Sequence, residues 1–153
     1  FMLKTGVKLE HIPYKGSSQA LPELINGSST MMFDSLTGSL PLVRGQRLKM
    51  LAVASIQRIA SLPDVPTVAE SGVQGFEANN IFGIVAPKGT PPEAVRTLEQ
   101  SLQRVLSSRA LIEKLATQGA DIAYAPADTF GQEILSEQKI WRNVAASAGV
   151  KIQ

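Results

Sequence analysis

The chain has 153 residues, 44% of them hydrophobic, with 15 Lys and Arg against 13 Asp and Glu and no cysteine. This size and hydrophobic content predict a globular chain with a core of its own and exclude an extensively disordered one. The basic residues are spread singly, which argues against nucleic acid as a partner, and the lack of cysteine excludes disulfides, thiolate metal sites and cysteine nucleophiles.

The first part of the chain predicts a strand-turn-helix unit. Residues 1–6 resemble the last turn of a helix closed by glycine. Residues 8–14 alternate polar and apolar side chains, which predicts a short strand, and the turn at residues 15–18 leads into a helix that ends at Asn26 and Gly27. Ser17 or Ser18 is the expected cap of this helix, and Pro22 is expected near its first turn.

The pattern then repeats. Residues 30–33 predict a buried strand with Asp34 at its carboxyl end, followed by a short helix over about residues 37–43. Residues 48–54 are continuously apolar except at Lys49, as expected of a strand in a parallel sheet covered on both faces. The proline-rich residues 62–67 predict a loop with at most a brief helix after it.

The remaining residues continue the alternation of strands and helices. Residues 82–86 predict a strand, and residues 90–93 predict a capping box with proline at the first helical position. Further helices are predicted over about residues 109–118 and 128–147, with a short strand at 121–124 between them and Trp141 on an apolar stripe facing a core. The fold class that follows is α/β.

Several phrases of the sequence match one family when they are taken in order. They are HIPYKG at 11–16, MFD at 32–34, LAV at 51–53, LPDVPTVAESG at 62–72 and FGIVAPKGTP at 82–91. The chain resembles the solute receptors of tripartite tricarboxylate transporters, also called the Bug receptor family, over essentially its whole length. The phrases PYKG and LPDVPT are specific when they occur together in this order.

The resemblance implies a periplasmic-binding-protein-like fold with two α/β lobes that close on a ligand. The chain of such a receptor runs from lobe one to lobe two and back to lobe one. Residues 1–77 then form part of lobe two, residues 78–153 form the carboxy-terminal part of lobe one with a long terminal helix, and residues 77–80 cross between them. We therefore expect the amino-terminal half of the receptor, with its signal peptide and most of lobe one, to be absent from this sequence.

The resemblance also implies a function. A receptor of this family is extracytoplasmic and captures a small carboxylate, such as a di- or tricarboxylate, an acidic amino acid or an aromatic acid. It passes the ligand unchanged to the membrane permease subunits of the transporter. This implies a periplasmic location, no catalytic activity, no cofactor and no bound metal.

The first candidate ligand-binding segment is Tyr14, Lys15, Gly16, Ser17 and Ser18. Ligands of open α/β sheets lie beyond the carboxyl ends of strands, where helix amino-termini present free N–H groups suited to a carboxylate. In this segment the glycine lets the backbone approach a ligand, the serines supply hydroxyls and N–H donors, the tyrosine lines a wall, and the lysine adds charge. The alternative is an ordinary helix cap with the lysine in solvent.

The second candidate segment is residues 34–37, of which Asp34, Ser35 and Thr37 are the expected ligand contacts. Asp34 has three open roles: it binds a ligand amino group, orients the neighbouring turn, or caps the helix, which is the commonest role of Asp at such a position. Phe82 is a further candidate on the hinge side of the cleft, with a place in the core as its alternative. Family members often carry tryptophan just before this phenylalanine, where the chain has Ile81.

Two other readings of the function stay open. An enzyme would have to build its chemistry on His11, the only histidine, and the sequence has no nucleophile elbow, Walker loop or dinucleotide fingerprint. The other reading is a truncated interaction or signalling module that no longer binds solute. A truncated lobe one would expose apolar surface, with self-association as one way to cover it.

Overall fold

The computed structural model describes residues 1–149. Its helices are α1 (Met2–Thr5), α2 (Ser17–Ile25), α3 (Leu36–Arg44), α4 (Pro92–Leu106), α5 (Arg109–Thr117) and α6 (Ala127–Ser147). The chain divides into two compact units. The first unit consists of Phe1–Phe82 and Glu113–Asp121, and the second of Gly83–Ile112 and Ile122–Gln153, of which residues up to 149 are described.

The buried side chains of the described residues lie in the first unit. They come from α2, from α3 and from the irregular segment after α3, and they are Ala20, Leu40, Val53, Thr67, Val68 and Phe76. Leu40 and Thr67 are the most deeply buried of them, each with 1% of its surface exposed. The core of the first unit is therefore small and is centred on α3 and residues 53–76.

Helices α2 and α3 both contain a proline. Each has a proline as its sixth residue, Pro22 in α2 and Pro41 in α3. Pro22 was expected near the first turn, but it lies in the second turn, where the missing N–H removes one helical hydrogen bond. Helix α3 is one residue longer at each end than predicted and gives way to Gly45.

Residues 53–78 are held together by a few backbone hydrogen bonds. The N–H of Val53 donates to the carbonyl of Pro66 and the N–H of Val68 donates to the carbonyl of Val53, each at 2.9 Å. These bonds form an isolated parallel bridge between Val53 and Thr67. The N–H of Ala78 donates to the carbonyl of Ala54, also at 2.9 Å.

The predicted strands do not form a sheet within the described residues 1–149. Residues 8–14, 30–33, 48–54, 82–86 and 121–124 are irregular apart from the bridge at Val53, so these local predictions were wrong. A parallel strand takes its hydrogen bonds from neighbours that lie elsewhere in sequence. An apolar run therefore forms no ladder where no neighbouring segment is placed beside it.

A capping box stabilises the turn that follows the bridge. The carboxylate of Glu70 accepts the N–H of Thr67 at 2.7 Å, and the hydroxyl oxygen of Thr67 accepts the N–H of Glu70 at 3.0 Å. The guanidinium of Arg58 also donates to this carboxylate, at 2.9 Å. The hydrogen bond from the Thr67 backbone and then that from Arg58 hold the pKa of Glu70 below its ordinary value of 4.5.

An aromatic cluster packs helix α1 against the rest of the first unit. The ring of Phe1 lies 5.7 Å from that of Phe33 and 6.0 Å from that of Phe76, in tilted and edge-on arrangements. The N–H of Gly6, a residue with φ of 70°, donates to the carbonyl of Met2 and closes α1. The predicted glycine-closed helical turn at the start of the chain is confirmed.

Helix α4 of the second unit begins one residue later than a capping box would require. Its N-cap is Pro91, in an extended conformation with ψ of 137°, and the hydroxyl of Thr90 donates to the carbonyl of Pro87 at 2.8 Å. The capping box predicted at residues 90–93 was therefore wrong. Pro92 disfavours the helical conformation for the residue before it, which moves the start of the helix to Pro92.

Contacts within the second unit are few. The carboxylate of Glu99 in α4 accepts the N–H of Ala127 at 2.6 Å, which ties α4 to the start of α6. The ring of Phe130 lies so close to Gly83 that a Cβ there would overlap it. Trp141 is 49% exposed and donates its ring N–H to Glu137 at 2.8 Å, so the predicted core position for this tryptophan was wrong.

Candidate functional site

The candidate site lies in the first unit, where the amino-terminal ends of α2 and α3 are joined through side chains. The hydroxyl of Ser17, the first residue of α2, donates a hydrogen bond to Oδ1 of Asp34. Asp34 comes directly before Ser35, which is the N-cap of α3. The structure therefore brings together the two segments that the sequence predicted separately.

Both helices begin without a side-chain cap. The N-caps are Gly16 for α2 and Ser35 for α3, and neither end has a side-chain hydrogen bond to its free N–H groups. Within the described part of the chain, the backbone N–H groups at the first two positions of each helix make no hydrogen bond. They belong to Ser17 and Ser18 in α2 and to Leu36 and Thr37 in α3.

These findings correct two expectations about caps. Ser17 and Ser18 do not cap α2, because both lie inside the helix and Gly16 occupies the capping position. Asp34 does not cap α3, because its carboxylate is engaged by Ser17. Uncapped helix amino-termini carry partial positive charge and unused donors, so this region is suited to an anion.

The turn before α2 is held by Gln19, a residue that the sequence analysis did not single out. Its side-chain oxygen accepts the N–H of Lys15 at 3.3 Å. A Gln three residues after the N-cap is the signal that would have identified it, since such residues reach back to the start of a helix. Lys15 itself is exposed, so its ammonium group is accessible to a ligand.

Gly16 leaves open space beside the free N–H groups of α2. A Cβ built at this position would have no atom within 4 Å. A ligand can therefore approach the backbone here, which agrees with the role that the sequence analysis gave to this glycine. The absence of a side chain does not serve packing within the described residues.

Asp34 is half-buried and its two oxygens differ. Oδ1 accepts from Ser17, whereas Oδ2 is fully buried and has no hydrogen-bond partner among the described residues. Gly38 lies below Oδ2, and a Cβ at that glycine would be 3.2 Å from it. Gly38 was also missed by the sequence analysis, because nothing in the pattern of α3 indicates what lies above it.

The other candidate residues contribute hydroxyls of different availability. The hydroxyls of Ser35 and Thr37 lie 2.9 Å apart and bond to each other. The hydroxyl of Tyr14 lies 3.5 Å from that of Ser29, and the tyrosine is exposed. Both pairs keep some capacity for a further hydrogen bond, because a hydroxyl can donate once and accept twice.

Phe82 is not joined to this site by any described ring contact or hydrogen bond. Its side chain is 73% exposed, so the alternative of a core position is wrong within the described structure. It lies at the last residue of the first unit's long segment. A role for Phe82 in ligand binding stays a prediction.

Residues 1–149 contain no group of three or more His, Cys, Asp or Glu side chains arranged to hold a metal ion. Of the helices described, none combines the length and the apolar character needed to cross a membrane.

Comparison with known proteins places the chain in a family. The sequence profile of the tripartite tricarboxylate transporter family receptors matches residues 1–150. The protein BugT of Bordetella pertussis is 35% identical over 153 residues, which are 100% of this chain and 47% of BugT. The chain thus spans about half the length of the curated relatives it matches.

Solved structures agree with this assignment and show the two-lobe α/β class of periplasmic binding proteins for the fold. An R. palustris protein, Rpa4515 with adipate, superposes with a TM-score of 0.90 and 34% identity over 97% of this chain and 50% of that one. The periplasmic binding protein BugD superposes with a TM-score of 0.86 and 33% identity, over 99% of this chain and 52% of BugD. MatC from Rhodopseudomonas palustris with bound malate superposes with a TM-score of 0.82 and 28% identity, over 94% of this chain and 50% of MatC. The chain belongs to the tripartite tricarboxylate transporter receptor family.

Proposed function

We propose that this chain is the part of an extracytoplasmic solute receptor that holds one carboxylate group of a small dicarboxylate at the amino-termini of α2 and α3. The observation that carries the proposal is the set of free N–H groups at the first two positions of each helix, joined through Ser17 and Asp34. Relatives with adipate and with bound malate support a carboxylate as the ligand class.

The electrostatics of the site favour such a group. Each helix amino-terminus offers partial positive charge and unpaired donors, and a carboxylate has about four lone-pair directions with which to accept them. Lys15 adds a full positive charge close to α2. The Asp34 carboxylate opposes an anion, but one of its oxygens accepts from Ser17 and the other is buried above Gly38, so neither oxygen points freely at a ligand.

The wider setting of the proposal follows the family. The receptor acts in the periplasm and delivers its ligand unchanged to the membrane permease subunits of a tripartite tricarboxylate transporter. Residues 1–77 belong to one lobe and residues 78–153 to the other, with Tyr14 and Phe82 lining the ligand. Ser18, Ser35 and Thr37 supply further hydrogen bonds. We propose no chemical step, because binding and release are the whole activity of a receptor.

A glycine substitution tests this proposal without touching a polar group. Gly16→Ala places a methyl group in the open space beside the free N–H groups of α2. We expect the affinity for dicarboxylates such as adipate, malate and succinate, measured by calorimetry, to fall about tenfold. Loss of one or two hydrogen bonds to a charged group costs about 1.5–3 kcal/mol, and readjustment of the ligand in the site reduces that cost.

Gly131→Ala is the matched control for that measurement. It also adds a methyl group where no atom lies within 4 Å, but in α6 of the second unit. We expect it to leave dicarboxylate affinity unchanged. Wild-type affinity in Gly16→Ala, or failure of the unsubstituted protein to bind any of the dicarboxylates, would show the proposal to be wrong.

A further inference from the structure

The Ser17 hydroxyl has a fixed hydrogen-bond direction, and this constrains the ligand. A serine hydroxyl carries one proton and two lone pairs, and a carboxylate can only accept. Since the proton of Ser17 is donated to Asp34, the oxygen of Ser17 offers only lone pairs to any further group. A ligand carboxylate oxygen placed against it would find no donor.

We propose that Asp34 is a positioning residue that turns Ser17 into an acceptor, so that the site selects carboxylates carrying a hydroxyl or ammonium group over unsubstituted ones. The inference rests on the proposed function and names the ligand class for the same site. The N–H groups of Ser17 and Ser18 hold the carboxylate. The Ser17 oxygen then accepts the ligand's own donor, next to that carboxylate.

The environment of Asp34 opposes the reverse arrangement, in which Ser17 gives its proton to the ligand. Oδ2 is buried without a hydrogen-bond partner among residues 1–149, so the bond from Ser17 is the one hydrogen bond that the described structure gives this carboxylate. Losing it would leave a half-buried charge with no hydrogen bond, which is costly. The proton of Ser17 is therefore held by Asp34.

The neighbouring hydroxyls lack this constraint. Ser18 is exposed and its hydroxyl makes no hydrogen bond within the described part of the chain. In the pair formed by Ser35 and Thr37 either hydroxyl can donate, so one proton of the pair stays available to a ligand. Ser17 is thus the hydroxyl that distinguishes a hydrogen-bond donor of the ligand from an acceptor.

The test compares malate with succinate, which share a carbon chain and differ by one hydroxyl. We expect the wild-type protein to bind malate about three- to tenfold more tightly, the range that one net hydrogen bond provides. Aspartate, whose ammonium group is also a hydrogen-bond donor, should bind more tightly than succinate as well. The measured quantity is the ratio of the two affinities from calorimetry, which a loss of stability alone would not change.

Substitutions at the two residues decide the mechanism. Ser17→Ala removes the acceptor, so the ratio of malate to succinate affinity should fall to about one. Ser17→Thr keeps a hydroxyl at this position, so it should keep the wild-type ratio. Asp34→Asn supplies an amide that can donate to the Ser17 oxygen, which frees the serine proton, so the ratio should also fall. Ser28→Ala and Asp64→Asn, at exposed positions outside the site, should keep the wild-type ratio.

The outcomes separate this inference from the proposed function. Failure of the wild-type protein to bind malate, succinate and aspartate would overturn the proposed function and the inference with it. Equal affinity for malate and succinate in the wild type would overturn the inference alone, as would a wild-type ratio in Ser17→Ala. If Asp34→Asn does not fold, as judged by circular dichroism, the Ser17 variants decide, because they change few atoms at a half-buried position.

Discussion

The two units of the chain differ in how much of their apolar surface they cover themselves. The first unit contains every buried side chain of the described residues, and the described part of the second unit contains none. In the second unit the apolar residues of α4 and α6 are partly or largely exposed. They include Leu98, Val105, Leu135, Ile140, Trp141 and Val144.

The difference shows what an amphipathic pattern does and does not predict. The apolar stripe of the last helix predicted a helix over about residues 128–147, and α6 is present over Ala127–Ser147. An apolar helix face does not indicate which residues pack against it, because those residues belong to other parts of the fold. In the first unit the cover is local: the bridge at Val53, the capping box at Thr67 and the ring of Phe76 lie within a short stretch of chain.

The largest effect that we expect distinguishes two leucines, each in a helix. Leu40 in α3 is 1% exposed, whereas Leu135 in α6 is 59% exposed. Leu40→Ala should lower the free energy of unfolding by about 2–5 kcal/mol, and Leu135→Ala by about 0.5 kcal/mol or less. Urea unfolding followed by circular dichroism measures both. Equal losses would mean that the two units are covered to the same degree.

A smaller effect is expected from a hydroxyl. Thr67→Val keeps the side-chain shape at a buried position but removes the acceptor of the Glu70 N–H, so it should cost about 1 kcal/mol of stability. The matched change in the second unit is Thr97→Val in α4, where an exposed hydroxyl donates to the carbonyl of Glu93. That change should cost less than about 0.5 kcal/mol. A larger loss for Thr97→Val in the same denaturation experiment would contradict the comparison.

The smallest expected effect is confined to acid. The pKa of Glu70 is lowered in the folded chain by the Thr67 N–H and by Arg58. Its carboxylate therefore stabilises the fold when the pH is above 4.5, the ordinary pKa of a Glu side chain. This contribution is lost as pH falls through the lower folded-state pKa. The melting temperature of Glu70→Gln should therefore lie below that of wild type at about pH 6, and the difference should shrink as pH falls below 4.5.

Glu93→Gln is the control for the acid measurement. Glu93 pairs with Arg96 at 3.1 Å on the surface of α4, where both side chains are mostly exposed. Such a pair contributes little to stability, so Glu93→Gln should follow the wild-type melting curve across the same pH range. A gap between wild type and Glu70→Gln that persists unchanged in acid would exclude titration of Glu70 as its cause.

Much of the helical architecture could be predicted from the sequence, because helix signals are local. The closing Gly6, the end of α3 near Gly45 and the length of α6 follow from cap residues and periodicity. The α/β fold class is confirmed by the solved relatives. The individual strand predictions were wrong within residues 1–149, because a strand needs a neighbouring strand to pair with, and the sequence pattern does not show whether one is present.

The candidate site was predicted only in its separate parts. The turn around Gly16 and the residues after Asp34 each follow a predicted strand, but the hydrogen bond between Ser17 and Asp34 joins residues far apart in sequence. The cap was likewise assigned to the wrong threonine. Thr90 precedes two prolines that displace the helix start, whereas Thr67, followed three residues later by Glu70, forms the capping box inside a segment predicted as a loop.

The two helix prolines have a consequence for the backbone hydrogen bonds behind the candidate ligand-binding turns. Pro22 and Pro41 cannot donate to the carbonyls four residues before them, which belong to Ser18 and Thr37. Each helix therefore lacks one of the bonds that tie its first turn to the turn behind it. The missing bonds lie in the same two helices that carry Ala20 and Leu40 into the core. In each helix the interruption thus falls between the candidate ligand-binding turn and the far end of the helix, close to a residue of the core.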